Sequence, residues 1–111
     1  MRDDVPTCGP QDSLSAVRSR VDEAGWDTCF VLNDEGVLLG RLDQRALASE
    51  RDIPAAEAMT EGPSTVRPSA RLRDLVQRMK QQDLSDLPVT TLDGRFVGLL
   101  RRTDAEQAVL S

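Results

Sequence analysis

The sequence predicts an α/β fold made of two copies of one unit, each running strand, helix, strand, strand, helix. Three observations predict it. First, sliding the chain by 58 residues aligns its halves without a gap, so that Thr7, Pro10, Leu14, Arg20, Val31, Gly36, Gly40 and Leu42 fall on Thr65, Pro68, Leu72, Arg78, Val89, Gly94, Gly98 and Leu100. Apolar type is also kept at Val17/Leu75, Val21/Met79, Trp26/Leu84, Leu38/Phe96 and Leu39/Val97. Second, each half carries one apolar stripe at helical spacing. Third, each stripe is followed by two apolar runs around a glycine turn. A repeat of this period means two supersecondary units that bury their faces against each other. A cleft between such units is the first place to look for a ligand.

Each element has its own local reason. Val5–Cys8 reads as an extended piece. Pro10 and Asp12 then announce a helix, with Asp12 as the expected N-cap. Leu14, Val17, Val21 and Ala24 form its apolar stripe, and Gly25 ends it. Cys29–Leu32 and Val37–Leu42 are strands joined by the turn Asn33-Asp34-Glu35-Gly36. Asp43 caps a short helix over Gln44–Ser49. Arg51–Gly62 lacks a Gly/Ser run, and Pro54 suits a first helical position, so Ala55–Met59 is expected as a connecting helix. In the second half Thr65-Val66 is the short strand. Ser69 is the expected cap of a helix with the stripe Leu72, Leu75, Val76 and Met79. Leu87–Thr91 and Arg95–Leu100 form the hairpin around Asp93-Gly94, and Thr103 caps a last helix over Asp104–Leu110. The expected division is repeat 1 over residues 1–52, then connecting helix and repeat 2 over residues 53–111. Fewer residues precede Val5 than precede Thr65. Either the first repeat lacks a leading helix or the chain is a piece of a longer one.

Composition narrows the function. The net charge is −5. Residues 1–52 hold six basic and eleven acidic side chains, whereas residues 53–111 hold eight of each. Such a chain does not favour general nucleic-acid binding. Trp26, Phe30 and Phe96 are the only aromatics, too few for base-stacking platforms. No apolar run is long enough to span a bilayer, and the first residues lack the apolar core of a secretory leader. Cys8 and Cys29 sit in apolar strand contexts and read as buried thiols. With no histidine in the chain, a zinc site would have to be largely carboxylate, which is unusual. There is no nucleophile elbow and no phosphate-binding loop. Carboxylates lie scattered on helix surfaces and turns, where solvation explains them. The expectation is a cytoplasmic, non-enzymatic chain without metal or cofactor.

The repeat resembles the CBS domain, and the whole chain the tandem pair of such domains known as a Bateman module. The stretches that carry the resemblance are Gly62-Pro-Ser-Thr-Val-Arg-Pro68, Asp86-Leu-Pro-Val-Thr90 and Asp93-Gly-Arg-Phe-Val-Gly-Leu-Leu-Arg-Arg-Thr-Asp104. No single piece is specific; their order and spacing, occurring twice, are. The resemblance implies two pseudo-twofold-related repeats with short sheets facing each other and a cleft on each side. It implies a regulatory binding module for AMP, ADP, ATP or S-adenosylmethionine. It further implies a homodimer and attachment to an effector enzyme or transporter.

On that resemblance Asp104 accepts the two ribose hydroxyls. The start of the last helix offers free N–H groups and positive partial charge to a phosphate. Thr103 adds a hydroxyl, and Arg101 and Arg102 are candidate phosphate partners. Ser64, Thr65 and Val66 line the adenine on one side, Leu87 and Pro88 on the other. Repeat 1 departs from the pattern: Ala46 stands at the place of Asp104, and Phe30 at the place of Pro88. Arg101 replaces the hydroxyl residue expected three positions before the ribose aspartate. The live site is therefore expected mainly in repeat 2. The alternative is a ligand-free pair acting as a dimerisation or docking scaffold. Trp26 is expected in packing, and Gly40 and Gly98 at close backbone approaches.

Overall fold

A two-stranded hairpin is marginal in water by itself and needs more strands or a packed helix. The chain meets that need twice, in the same way. The computed structural model describes residues 2–62 and 65–110. These fall into two compact units, Val5–Pro63 on one side and Met1–Asp4 with Ser64–Ser111 on the other.

The first unit contains β1 (Thr7–Cys8), α1 (Leu14–Ala24), β2 (Cys29–Leu32), β3 (Leu38–Leu42), α2 (Gln44–Leu47), α3 (Ala55–Ala58) and β4 (Thr60–Glu61). Its sheet has the order β1-β2-β3-β4, with β1 parallel to β2 and the other pairs antiparallel. The β2–β3 turn is built by Asn33, whose Oδ1 accepts the N–H groups of Glu35 at 2.9 Å and Val37 at 3.0 Å. Gly36 supplies the positive φ of 83° that this turn requires. Leu14, Val17 and Val21 of α1 are buried against Cys8, Cys29, Val31, Leu42, Leu47 and Ala55. Each large apolar side chain buried in this way stabilises by about 1.5–3 kcal/mol. Trp26 is half-buried against the same cluster, in packing as expected.

The second unit contains α4 (Leu72–Gln81), β5 (Asp86–Thr90), β6 (Phe96–Arg101) and α5 (Arg102–Leu110). Val66 bridges β5 in parallel at Val89, and Arg2 bridges β6 antiparallel at Leu99. Arg2 and Leu99 exchange both backbone bonds, at 2.8 and 2.7 Å. The order Val66, β5, β6, Arg2 thus repeats β1-β2-β3-β4 of the first unit. Pro88 explains why the opening strand shrinks to one bridge here. In the first unit Phe30 N–H donates to the Pro6 carbonyl at 3.1 Å; Pro88, in the same place, has no N–H to give. Leu75, Val76 and Met79 of α4 are buried with Val66, Leu87, Val89, Leu100 and Ala105.

Helix starts differ from the sequence reading in four places. Ser13, not Asp12, caps α1, accepting from Ala16 N–H at 3.4 Å, while Asp12 accepts from Gly9 N–H at 2.8 Å. Ser69 lies in a turn closed by Ala70 N–H on the Arg67 carbonyl at 3.0 Å, and Arg71 is the N-cap of α4 without a side-chain bond. Thr103 lies inside α5, which starts at Arg102, two residues before the expected Asp104; Arg102 N–H donates to the Ser85 carbonyl at 2.8 Å. Pro54 is the N-cap of α3 rather than its first residue, and β4 is a strand that the sequence reading did not contain.

Gly40 marks a tight approach. A methyl group on it would sit 2.8 Å from Met59 Cγ and 2.9 Å from the Thr60 carbonyl oxygen. Gly40→Ala is expected to destabilise the chain by about 1–3 kcal/mol, the usual cost of overpacking. Urea unfolding measures this, and an unchanged midpoint would contradict the tight β3–β4 contact.

Candidate functional site

The second unit gathers polar groups at the junction where β6 runs straight into α5. Arg101 is the last residue of β6 and Asp104 lies in the first turn of α5. Arg101 is half-buried, whereas Thr103 and Asp104 are exposed. The backbone pairing of Arg2 with Leu99 brings residues 2–4 alongside. There Arg2 holds Asp4 through two bonds, Nε to Oδ1 at 3.0 Å and Nη2 to Oδ2 at 2.8 Å. The bond from Arg2 holds the Asp4 carboxyl below the usual carboxylate range, and Arg101 adds to that effect. Asp4 in turn pushes Arg2 up, with a smaller contribution from Asp104. Two arginines and two aspartates therefore share one surface.

Asp104 lines a cavity of about 320 Å³, together with Arg67, Pro68, Leu75, Leu100 and Ala105. That volume lies in the range of small-molecule pockets. Among the described residues predicted for the ligand site, only Asp104 lines it. Thr65 is exposed. Val66 and Leu87 lie in the apolar core of this unit, and Pro88 is buried at the neighbouring position of β5. Arg102 forms an ion pair with Glu106 at 2.8 Å, one helical turn on. Ser64 falls outside the described residues. Sequence reasoning missed Arg2, Asp4 and Arg67. Arg2 and Asp4 reach the site through one long-range backbone pairing, which leaves no side-chain signature.

The first unit has no counterpart to this cluster at the matching places. Ala46 packs against the apolar core. Phe30 is fully buried, with the Arg41 guanidinium 5.2 Å from its ring centre. Arg41 Nε also donates to Thr28 Oγ1 at 2.9 Å. Cys8 and Cys29 are free and buried. Its hydrogen bond with Cys8, together with burial, pushes the Cys29 thiol up and keeps it protonated. Among the described residues no group of three His, Cys, Asp or Glu side chains is placed to hold a metal ion. No helix there is long and apolar enough to cross a membrane.

The CBS domain model matches the chain twice, over residues 1–53 and 51–111. The chain belongs to the CBS domain family. Its two repeats make it a tandem CBS pair. Among solved structures it is similar to CBSX2, a CBS-pair protein of Arabidopsis thaliana, in complex with AMP: TM-score 0.85, 22% identity, covering 98% of this chain and 90% of that one. It is also similar to the cytosolic domain of the Mg2+ channel MgtE in complex with ATP: TM-score 0.83, 22% identity, covering 95% of this chain and 44% of that one. A third likeness is the CBS domain pair of MJ0100 with 5′-methylthioadenosine and S-adenosyl-L-methionine: TM-score 0.80, 16% identity, covering 98% and 90%. At these identities the likeness establishes the fold.

The Arg2–Asp4 pair yields a pH prediction. Because the folded value of Asp4 is lowered, the pair's contribution is present above the unfolded aspartate value of about 3.9 and fades as pH falls through the folded value. NMR titration should give Asp4 a lower midpoint in the wild type than in Arg2→Ala. Equal midpoints would dismiss the pair.

Proposed function

We propose that this chain is a regulatory CBS pair, its repeats divided in sequence as residues 1–52 and 53–111, that binds one adenosyl ligand at a site built mainly from repeat 2. The ligand class is AMP, ADP, ATP or S-adenosylmethionine. The observation that carries the reading is the placement of Asp104. It stands in the first turn of a nine-residue helix, lining a cavity, with Arg101 and Arg2 beside it. A carboxylate there accepts two vicinal ribose hydroxyls in charge-assisted bonds. The helix start and the arginines favour a phosphate or another anionic group nearby. Thr103 supplies a hydroxyl on the same turn. Ser64, Thr65 and Val66, with Leu87 and Pro88, are the proposed adenine side, although Val66, Leu87 and Pro88 are buried and do not line the cavity. AMP, ATP and S-adenosylmethionine complexes of proteins with this fold support the ligand class.

In this reading the chain is cytoplasmic and performs no catalysis. It works as a homodimer and transmits ligand occupancy to an effector enzyme or transporter. Such transmission requires the ligand to prefer one arrangement of the protein over another. A second reading, a ligand-free scaffold for dimerisation or docking, is favoured by Ala46, by the buried Phe30 and by the engagement of Arg102 with Glu106.

Thermal unfolding with each of the four compounds separates the two readings. A ligand at 100 times its dissociation constant stabilises by about 2.7 kcal/mol, a rise of roughly 12 °C for a chain of this size. The rise is expected in the wild type and absent in Asp104→Ala. No rise with any compound selects the scaffold, and a rise that survives Asp104→Ala moves the site elsewhere.

A further inference from the structure

The first unit holds two thiols that the ligand site does not use. Cys8 and Cys29 are both free. β1 runs parallel to β2 with Cys8 opposite Val31, and Cys29 lies two residues before Val31. Side chains alternate between the faces of a strand, so Cys8, Cys29 and Val31 share the face that α1 covers. There the thiols interact directly, Cys29 donating to Cys8. At the matching positions of the second unit stand Val66 and Leu87, so the thiols take places that aliphatic packing fills equally well.

The two sulfurs are not equivalent. Cys29 is 0% exposed and Cys8 6%. A surface cavity of about 330 Å³, lined by Gly9, Pro10, Asp12 and Asn33 among others, opens at the residue after Cys8. The bond from Cys29 holds Cys8 below the ordinary thiol range, with a smaller contribution from Arg20 that Asp12 opposes. Arg20 is fixed nearby, donating to the Thr7 carbonyl at 3.0 Å. The same thiol–thiol bond, and then burial, push Cys29 up. The thiolate is the form that peroxides oxidise. Cys8 is therefore the attacking member of the pair and Cys29 the resolving one.

We propose that Cys8 and Cys29 form a reversible redox switch, which hydrogen peroxide closes to a disulfide and a dithiol reductant reopens. The Cys8 sulfur attacks one peroxide oxygen and the O–O bond breaks. Hydroxide leaves and takes up the Cys8 proton as water, and Cys8 becomes a sulfenic acid. The Cys29 sulfur then attacks the Cys8 sulfur. The S–S bond forms, and the sulfenic oxygen leaves as water with the Cys29 proton. Two thiols and one peroxide give one disulfide and two waters; exchange with the reductant reverses the change. β1 is a two-residue strand at the edge of its sheet, so it is the element that yields to bring the sulfurs to bonding distance.

The consequence lies further along the chain. Residues 9–12 follow β1 and anchor the segment that leads to the second repeat. Ala56 N–H donates to the Pro10 carbonyl at 3.0 Å, and Ala55 N–H to the Asp12 carbonyl at 2.8 Å. A disulfide ties the start of this loop to β2, so the anchor opens less often. The switch does not depend on whether Asp104 holds a nucleotide.

The test treats the whole chain with hydrogen peroxide, then denatures it and alkylates the remaining thiols. Mass spectrometry should show a monomer lighter by two hydrogens, without alkyl groups, and a tryptic peptide pair joined through Cys8 and Cys29. Dithiothreitol should restore both thiols. In Cys29→Ala, oxidation should stop at a Cys8 sulfenic acid that dimedone captures; in Cys8→Ala, Cys29 should stay a thiol. Amide hydrogen exchange at Ala55 and Ala56 of the oxidised wild type should slow by about tenfold or more. Two free thiols after peroxide, disulfides between chains only, or unchanged exchange in the fully oxidised chain would overturn the proposal. These wild-type readouts decide the matter even where an alanine variant folds poorly.

Discussion

Everything in this chain depends on covering a hairpin. Each unit offers one long antiparallel pair, β2–β3 or β5–β6, with an apolar face and two open edges. The face is covered by the helix before the hairpin and the helix after it. One edge is closed by a short parallel segment and the other by a short antiparallel one. Unpaired strand edges invite association with other chains, so these two-residue and one-residue pairings matter beyond their length. The antiparallel closure of the second unit is also what carries Arg2 and Asp4 to Asp104. Fold and site are joined at one backbone contact.

The two copies then diverge at matching positions. At matching positions the first unit has Ala46 packed in its core and Phe30 buried under Arg41, whereas the second has Asp104 exposed and Pro88 in mid-strand. The first unit has α3 seated in its groove; the second has a cavity. Duplication supplies two similar frames, and substitution at a handful of positions makes them differ.

The parts of the fold that were legible in the sequence are those written in side chains. The stripe Leu14, Val17, Val21 and the turn Asn33–Gly36 each combine several residues whose chemistry points the same way, and β2 and α4 lie within a residue or two of where their patterns place them. The N-cap of α1 was off by one because Asp12 and Ser13 are both good caps, and local chemistry cannot choose between them. β4 and the Arg2 bridge were invisible because backbone pairing over one or two residues asks nothing of the side chains. The same holds at the site. Asp104 was singled out by its motif and lines the cavity, but Arg2 and Asp4 come from nearly a hundred residues away in sequence, and Arg67 lies in the turn before α4.

The central functional claim is geometric, and a structure with bound ligand tests it most directly. Crystals of the chain grown with AMP should show both ribose hydroxyls within hydrogen-bond distance of the Asp104 carboxylate, with Arg101 or Arg2 facing the phosphate. An AMP whose ribose lies away from Asp104 would contradict the account.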